Sequence, residues 1–186
     1  IVASALGSLV WAGGLLWALV APGGGAQSWS IYNDSTLDAW EVRGILQSGG
    51  VDAFDVSNPR PLEHALTASM VGSGIEPDAS SQTVAAVLNA HAGHWGITIA
   101  VVSLLAGLTV TALGRRAGVR TSILTGVAGA TSLAMLLTPV VGPLIDMGQI
   151  NGHLVIALLL ASVLISFESL RAPLAGASAL AGLSAL

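Results

Sequence analysis

Four long apolar runs dominate this 186-residue chain. A helix needs about 20 mostly apolar residues to cross the hydrocarbon of a bilayer, and helices and closed barrels are the two structures that satisfy their backbone there. The first run, residues 1–22, carries no charge and no basic residue ahead of its apolar stretch, so it reads as a retained helix rather than a signal peptide. The second extends from about Asn89 to Leu113 and stops at Gly114-Arg115-Arg116. The third covers Thr121 to Ile145, and the fourth lies between Asp146 and Glu168, closed by Arg171 and Pro173. The expected fold class is an all-α integral membrane protein with four transmembrane helices. Residues 1–22 form helix 1, residues 23–88 a helical extracytoplasmic lid inserted between helices 1 and 2, residues 89–171 helices 2–4, and residues 172–186 a low-complexity Ala/Gly/Leu/Ser tail.

Arginine placement orients this expected bundle. Arg115, Arg116 and Arg120 crowd the link between the second and third runs, and Arg171 follows the fourth. Basic residues accumulate on the cytoplasmic side, which puts both termini inside the cell membrane and residues 23–88 outside. The outer segment holds eight of the ten acids against Arg43 and Arg60. Only 9% of all residues are charged, against about 25% in soluble domains. Cysteine is absent, which excludes disulfides, thiolate metal sites and cysteine nucleophiles. Lysine is absent too, removing Schiff-base chemistry and a P-loop lysine. A net charge of −4 argues against a nucleic-acid partner. The expected partners are the lipid bilayer and other protein subunits.

The outer segment carries helix signals. Ser35-Thr36-Leu37-Asp38 has capping-box spacing, followed by an apolar stripe of Leu37, Trp40, Ile45 and Leu46 that ends at Ser48-Gly49-Gly50. A second short helix is predicted from Pro61 to Gly72, with Leu62, Leu66 and Met70 as its stripe. Asp78 to Ser81 is predicted to cap a helix that continues into the second span. Asn33-Asp34-Ser35 matches the N-glycosylation sequon.

The four histidines, His64, His91, His94 and His153, all fall outside the cytoplasmic segments. His94 precedes Arg115 by 21 residues and His153 precedes Arg171 by 18; at about 1.5 Å per residue both sit roughly 27–32 Å above the arginine edge. Two imidazoles at matched depth suit a bis-histidine haem b. The spacing of three between His91 and His94 also suits a metal site, completed by His153 and by His64 or Glu63, with Asn89, Asn151 and Asp146 as supporting acceptors. The third reading is structural, with histidines that hydrogen-bond at the outer membrane edge.

A histidine at the outer start of a helix ending in Arg-Arg, then a helix, then one opening Gly152-His153-Leu154-Val155-Ile156-Ala157, resembles one four-helix half of the haem A synthase and b-type membrane cytochrome fold. The resemblance covers about residues 85–170. It implies haem ligation by His94, or His91, with His153, and makes Glu63 a candidate for the family's catalytic glutamate. The family's His-Arg pattern on the second helix is replaced here by His91-Ala92-Gly93-His94-Trp95, so the resemblance implies electron transfer or haem handling with haem b rather than haem conversion.

Small residues Gly96, Ser103, Gly107 and Gly114 share one face of the second span, nearly opposite His94. Such a seam lets helices approach closely, and the expectation is that either this face or the histidine face meets another subunit. Trp11, Trp17, Trp29 and Trp95 are expected in an interfacial aromatic belt. His153, Ala157, Leu160 and Leu164 share a face on the fourth span, ending in a Glu168/Arg171 ion pair. Thr138 to Pro143 is expected to kink or end the third span.

Overall fold

A computed structural model describes residues 1–20, 34–48, 61–71, 81–137 and 150–169, and every regular element among them is helical. A short 3-10 turn, Ala3–Ala5, leads into α1, Leu6–Val20. The outer segment supplies α2, Asp34–Ser48, and α3, Pro61–Met70. Proline at the start of α3 is a natural first residue, because its missing N–H would have no intrahelical acceptor anyway. Then come α4, Ser81–Arg116, α5, Thr121–Leu137, and α6, Ile150–Ser169. The expected elements are all present where they can be described. Asn33, Asp78, Pro139, Pro143, Asp146, Arg171 and residues 172–186 lie outside the described residues, as do the side chains of Ser35, Asp38, Glu63, Asn151 and Glu168.

Among the described helices one, over Val84–Arg116, is long and apolar enough to cross a membrane. Three shorter apolar stretches accompany it, at Ala3–Trp17, Thr121–Leu137 and Gly152–Phe167. The whole of α4 is 36 residues, about 54 Å at about 1.5 Å per residue, against a hydrocarbon thickness of about 30 Å. The helix is thus longer than such a layer is thick, and α2 and α3 pack against it.

The α4–α5 reversal shows why the chain turns where it does. Val119 N–H donates to Gly114 O at 2.9 Å and Gly118 N–H to Arg115 O at 3.3 Å, with Gly118 at φ +70°. This is the Schellman arrangement, which satisfies the last carbonyls of α4 and needs a residue that tolerates the left-handed region. Leu124 N–H then donates to Arg120 O and opens α5 antiparallel to α4.

Helix α4 is the centre of the molecule, packed by α1, α5 and α6 and, in its N-terminal half, by α2 and α3. Both of its special faces are therefore used internally. A Cβ on Gly96 would lie 2.7 Å from Leu15 Cδ1, one on Gly107 would lie 2.5 Å from Ser4 O, and one on Gly114 would collide with Leu124. Ser103 Oγ donates to Ser132 O at 2.6 Å. The Gly96/Ser103/Gly107/Gly114 seam thus seats α1 and α5, because glycine here removes the bulk that would hold those helices away. Polar side chains reinforce this packing. Gly7 N–H donates to Ser132 Oγ at 2.9 Å, Ser8 Oγ to Ala100 O at 2.6 Å, and Ser4 Oγ lies 3.0 Å from Thr111 Oγ1. Each such interhelical bond contributes about 0.6 kcal/mol in lipid.

The lid has its own small core of Val42 and Ile45 from α2, Ala68 from α3 and Val87 from α4, flanked by Leu46 and Val71. Three expected core positions are corrected here. Trp40 is 62% exposed and lies 5.1 Å under the Arg43 guanidinium; Leu66 and Met70 are also exposed. The buried face of α3 is instead His64, Thr67, Ala68 and partly Val71. It follows an i, i+3, i+4, i+7 pattern where the expected stripe ran i, i+4, i+8, and it is turned so that polar groups meet polar partners on α2 and α4.

Candidate histidine site

All four histidines are buried, His64 and His153 completely, and they come from three helices that touch one another: α3, α4 and α6. The N-terminal half of α4 supplies His91 and His94, the start of α6 supplies His153, and the lid helix α3 supplies His64. The matched depth of His94 and His153 expected from helix lengths places both at this same end.

Three of the four rings each join a different pair of helices. His64 Nδ1 lies 3.1 Å from Glu41 Oε2, linking α3 to α2. His94 Nδ1 lies 2.7 Å from Thr67 Oγ1, linking α4 to α3. Trp95 Nε1 donates to His153 Nδ1 at 2.9 Å, linking α4 to α6. The fourth ring, His91, meets Trp95 edge-on, with centroids 5.7 Å apart and planes at 68°. Trp95 also faces His153 at 6.0 Å and 56°. The indole therefore touches both rings, and below it Trp95, Ile99 and Ile150 form a fully buried apolar floor with Trp11 and Leu136 against them. Trp95 is a core residue, not part of an aromatic belt. Trp11 also turns inward, donating Nε1–H to Gly96 O at 3.0 Å, whereas Trp17 is 72% exposed as a belt residue would be. Trp29 lies outside the described residues.

No family model, curated protein or solved structure matches the chain. What the site can do is therefore argued from its own atoms.

The fit of a haem can be tested ring by ring. An indole N–H only donates, so the Trp95 bond requires a lone pair on His153 Nδ1, and in a neutral imidazole the proton then sits on Nε2. A ring in that form has no Nε2 lone pair for iron. Ligating histidines have the opposite arrangement, with Nδ1–H donated to an acceptor. His94 can adopt it at Nδ1, because the Thr67 hydroxyl can accept from Nδ1–H. A bis-histidine haem on His94 and His153 thus fits at one ring and not at the other. Nor do the rings converge on a point. Among the described residues no group of three or more His, Asp or Glu is arranged to hold a metal ion, so the site of His91, His94, His153 and His64 is not formed. Glu63 is the neighbour of His64 in α3, and its side chain lies outside the described residues.

Three partners were absent from the sequence reading: Glu41, Thr67 and Trp95. Two had a local signal. Thr67 follows His64 by three residues and Trp95 follows His91 by four, spacings that put each pair on one helical face.

Proposed function

We propose that the chain is a structural or assembly subunit of a larger membrane complex, built as four spanning helices with both termini cytoplasmic and a helical lid fastened over the extracytoplasmic end. The observation that carries the reading is the set of three histidine contacts, each between a different pair of helices, with Trp95 packed against the rings where a cofactor would have to lie. Such an arrangement uses imidazoles as fasteners. Membrane embedding is supported by large apolar side chains that face outward from every bundle helix: Leu9 and Leu16 on α1, Ile97 on α4, Ile123 on α5, Leu159 on α6. With the glycine seam consumed internally, protein neighbours would meet the lid, where Trp40, Leu66 and Met70 remain exposed.

Two measurements test the proposal. The chain has no cysteine, so a single introduced thiol reports its own side of the membrane. Ser69→Cys should react with an impermeant maleimide in intact cells, and Ala117→Cys only after permeabilisation; the reverse pattern overturns the orientation. The purified protein should show no Soret band.

A second reading is favoured by one observation, the Thr67 hydroxyl on His94 Nδ1. It is a haem b subunit for electron transfer near the outer face, with His94 and His153, or His91, as ligands. It requires Trp95 to release His153. A Soret band that shifts in His153→Ala would establish this reading in place of the first.

A further inference from the structure

At the opposite end of the bundle from the histidines, Ile1 to Ser4 ahead of α1, the end of α4 and the start of α5 surround a cavity of about 360 Å³. Its polar wall is Ser4, Thr111, Arg115, Thr121 and Thr125, and its apolar wall includes Val2 and Leu124. We propose that this cavity binds the phosphate group of an anionic phospholipid from the cytoplasmic leaflet, with Arg115 as the principal contact.

Several observations converge on a phosphate with an apolar neighbour. The two adjacent arginines have different tasks. Arg116 is committed to α6, donating from Nη2 to Phe167 O at 2.7 Å with its guanidinium 5.0 Å from the Phe167 ring. Arg115 is exposed, and its guanidinium has no hydrogen-bond or ion-pair partner among the described residues, although it lines the cavity. A guanidinium presents a planar fork of donors that matches phosphate oxygens. Of the hydroxyls around it, Thr111 and Thr125 already donate to Gly107 O and Thr121 O, and Ser4 to Thr111, which leaves the Thr121 hydroxyl as an added uncharged donor.

The cavity wall also includes the first turn of α5, whose capping residue is Arg120, the acceptor for Leu124 N–H. An arginine side chain has no acceptor atom, and α5 has no acid in its first turn, so the positive end of that helix is not neutralised by its own side chains. The volume is at the small end of ligand pockets, roughly 300–1,000 Å³, which suits a headgroup better than a large cofactor. On the proposed topology this end is cytoplasmic, where anionic lipids concentrate.

The proposal rests on the four-span reading, and the experiment separates the two. Thermal unfolding of the full chain is followed in neutral detergent doped with phosphatidylglycerol, with phosphatidylcholine, or with inorganic phosphate alone. Phosphatidylglycerol should stabilise the protein saturably and phosphatidylcholine should not. Arg115→Gln should weaken the apparent affinity about tenfold or more, the scale of one charge-assisted contact. The control Arg120→Gln, a neighbouring exposed arginine, should stay within about threefold of wild type on the same scale.

Equal losses in both variants would reduce the effect to diffuse surface charge and overturn the site, as would equal stabilisation by both lipids. Stabilisation by inorganic phosphate that matches the lipid would keep the phosphate site and overturn the lipid as its source. If the protein is monodisperse without detergent, the membrane reading fails by itself. The phosphate arm in plain buffer, with the same two variants, then decides the site independently.

Discussion

The tightest test of the fold is a single methyl group at Gly107. A Cβ there would lie 2.5 Å from Ser4 O and 2.8 Å from Ser4 Cα. Both are backbone atoms at the start of α1, so no side-chain rotation relieves the clash; α1 must move off α4. Forcing extra volume into a packed interface costs about 1–3 kcal/mol, offset by the roughly 0.5–1 kcal/mol that alanine gains over glycine in a helix. Gly107→Ala should therefore destabilise by about 1–2 kcal/mol. For a chain of this size that is a fall in Tm of roughly 2–8 °C.

Two comparisons isolate the cause. Gly126→Ala on α5 meets nothing within 4 Å, so it should be neutral or stabilising by up to about 1 kcal/mol. Gly114→Ala collides only with Leu124 Cδ1, the far end of a flexible side chain; it should cost less than Gly107→Ala and be rescued by Leu124→Ala. Unfolding in mixed micelles, read by tryptophan fluorescence, orders the three variants. If Gly107→Ala behaves like Gly126→Ala, α1 is not seated on the seam and the internal reading of that face is wrong.

Four further outcomes follow from individual contacts. Trp95→Phe keeps most of the apolar packing but removes the donor to His153 Nδ1; it should cost about 1–3 kcal/mol, measured by the same unfolding assay, and a cost near zero would remove that bond as a fastener. Thr67→Val is nearly isosteric and breaks the α3–α4 link, so the lid should become cleavable by added protease at concentrations that leave wild type intact. Gly118→Ala forces a Cβ into the left-handed region at φ +70° and should destabilise by about 1–2 kcal/mol; an unchanged Tm would mean the turn is not a Schellman cap. Arg116→Gln loses an exposed contact to Phe167 and should shift stability by no more than about 1 kcal/mol.

The parts of the fold that depend on chain-local chemistry were legible. The lid helices follow from capping and turn residues, and the 36-residue continuity of α4 from an apolar period that runs unbroken past the lid. The α4–α5 reversal falls in the arginine link expected between the second and third runs, with Gly118 as the residue that makes the turn. Which way a short helix faces was not legible on α3. Leu62, Leu66 and Met70 form a consistent stripe in the sequence, but Leu66 and Met70 point outward because His64 and Thr67 have partners on two other helices. A local apolar count cannot weigh a polar contact made across 27 residues. The same applies to Trp95, whose place near a span end matches a belt residue and whose indole N–H is instead taken up by His153, 58 residues away.

That both singled-out faces of α4 make contacts within the chain was not legible for a related reason. The small-residue seam and the histidine face lie nearly opposite each other, and a helix at the edge of a bundle cannot bury both. A helix at its centre can. Once α4 is central, the two faces divide the work. Glycine and serine bring α1 and α5 to contact distance along one face. Histidine, threonine and tryptophan hold α3 and α6 at the end where the lid folds down. Close packing is slight here, because among the described residues the lid helices contribute three core side chains, Val42, Ile45 and Ala68, which meet Val87 of α4 beside the flanking Leu46 and Val71. The directional Thr67–His94 hydrogen bond between α3 and α4 and the His64–Glu41 contact between α3 and α2 supply what that small core lacks. Removing one of them should loosen the lid before it loosens the bundle, and the separation of protease cleavage from global unfolding in Thr67→Val measures this division directly.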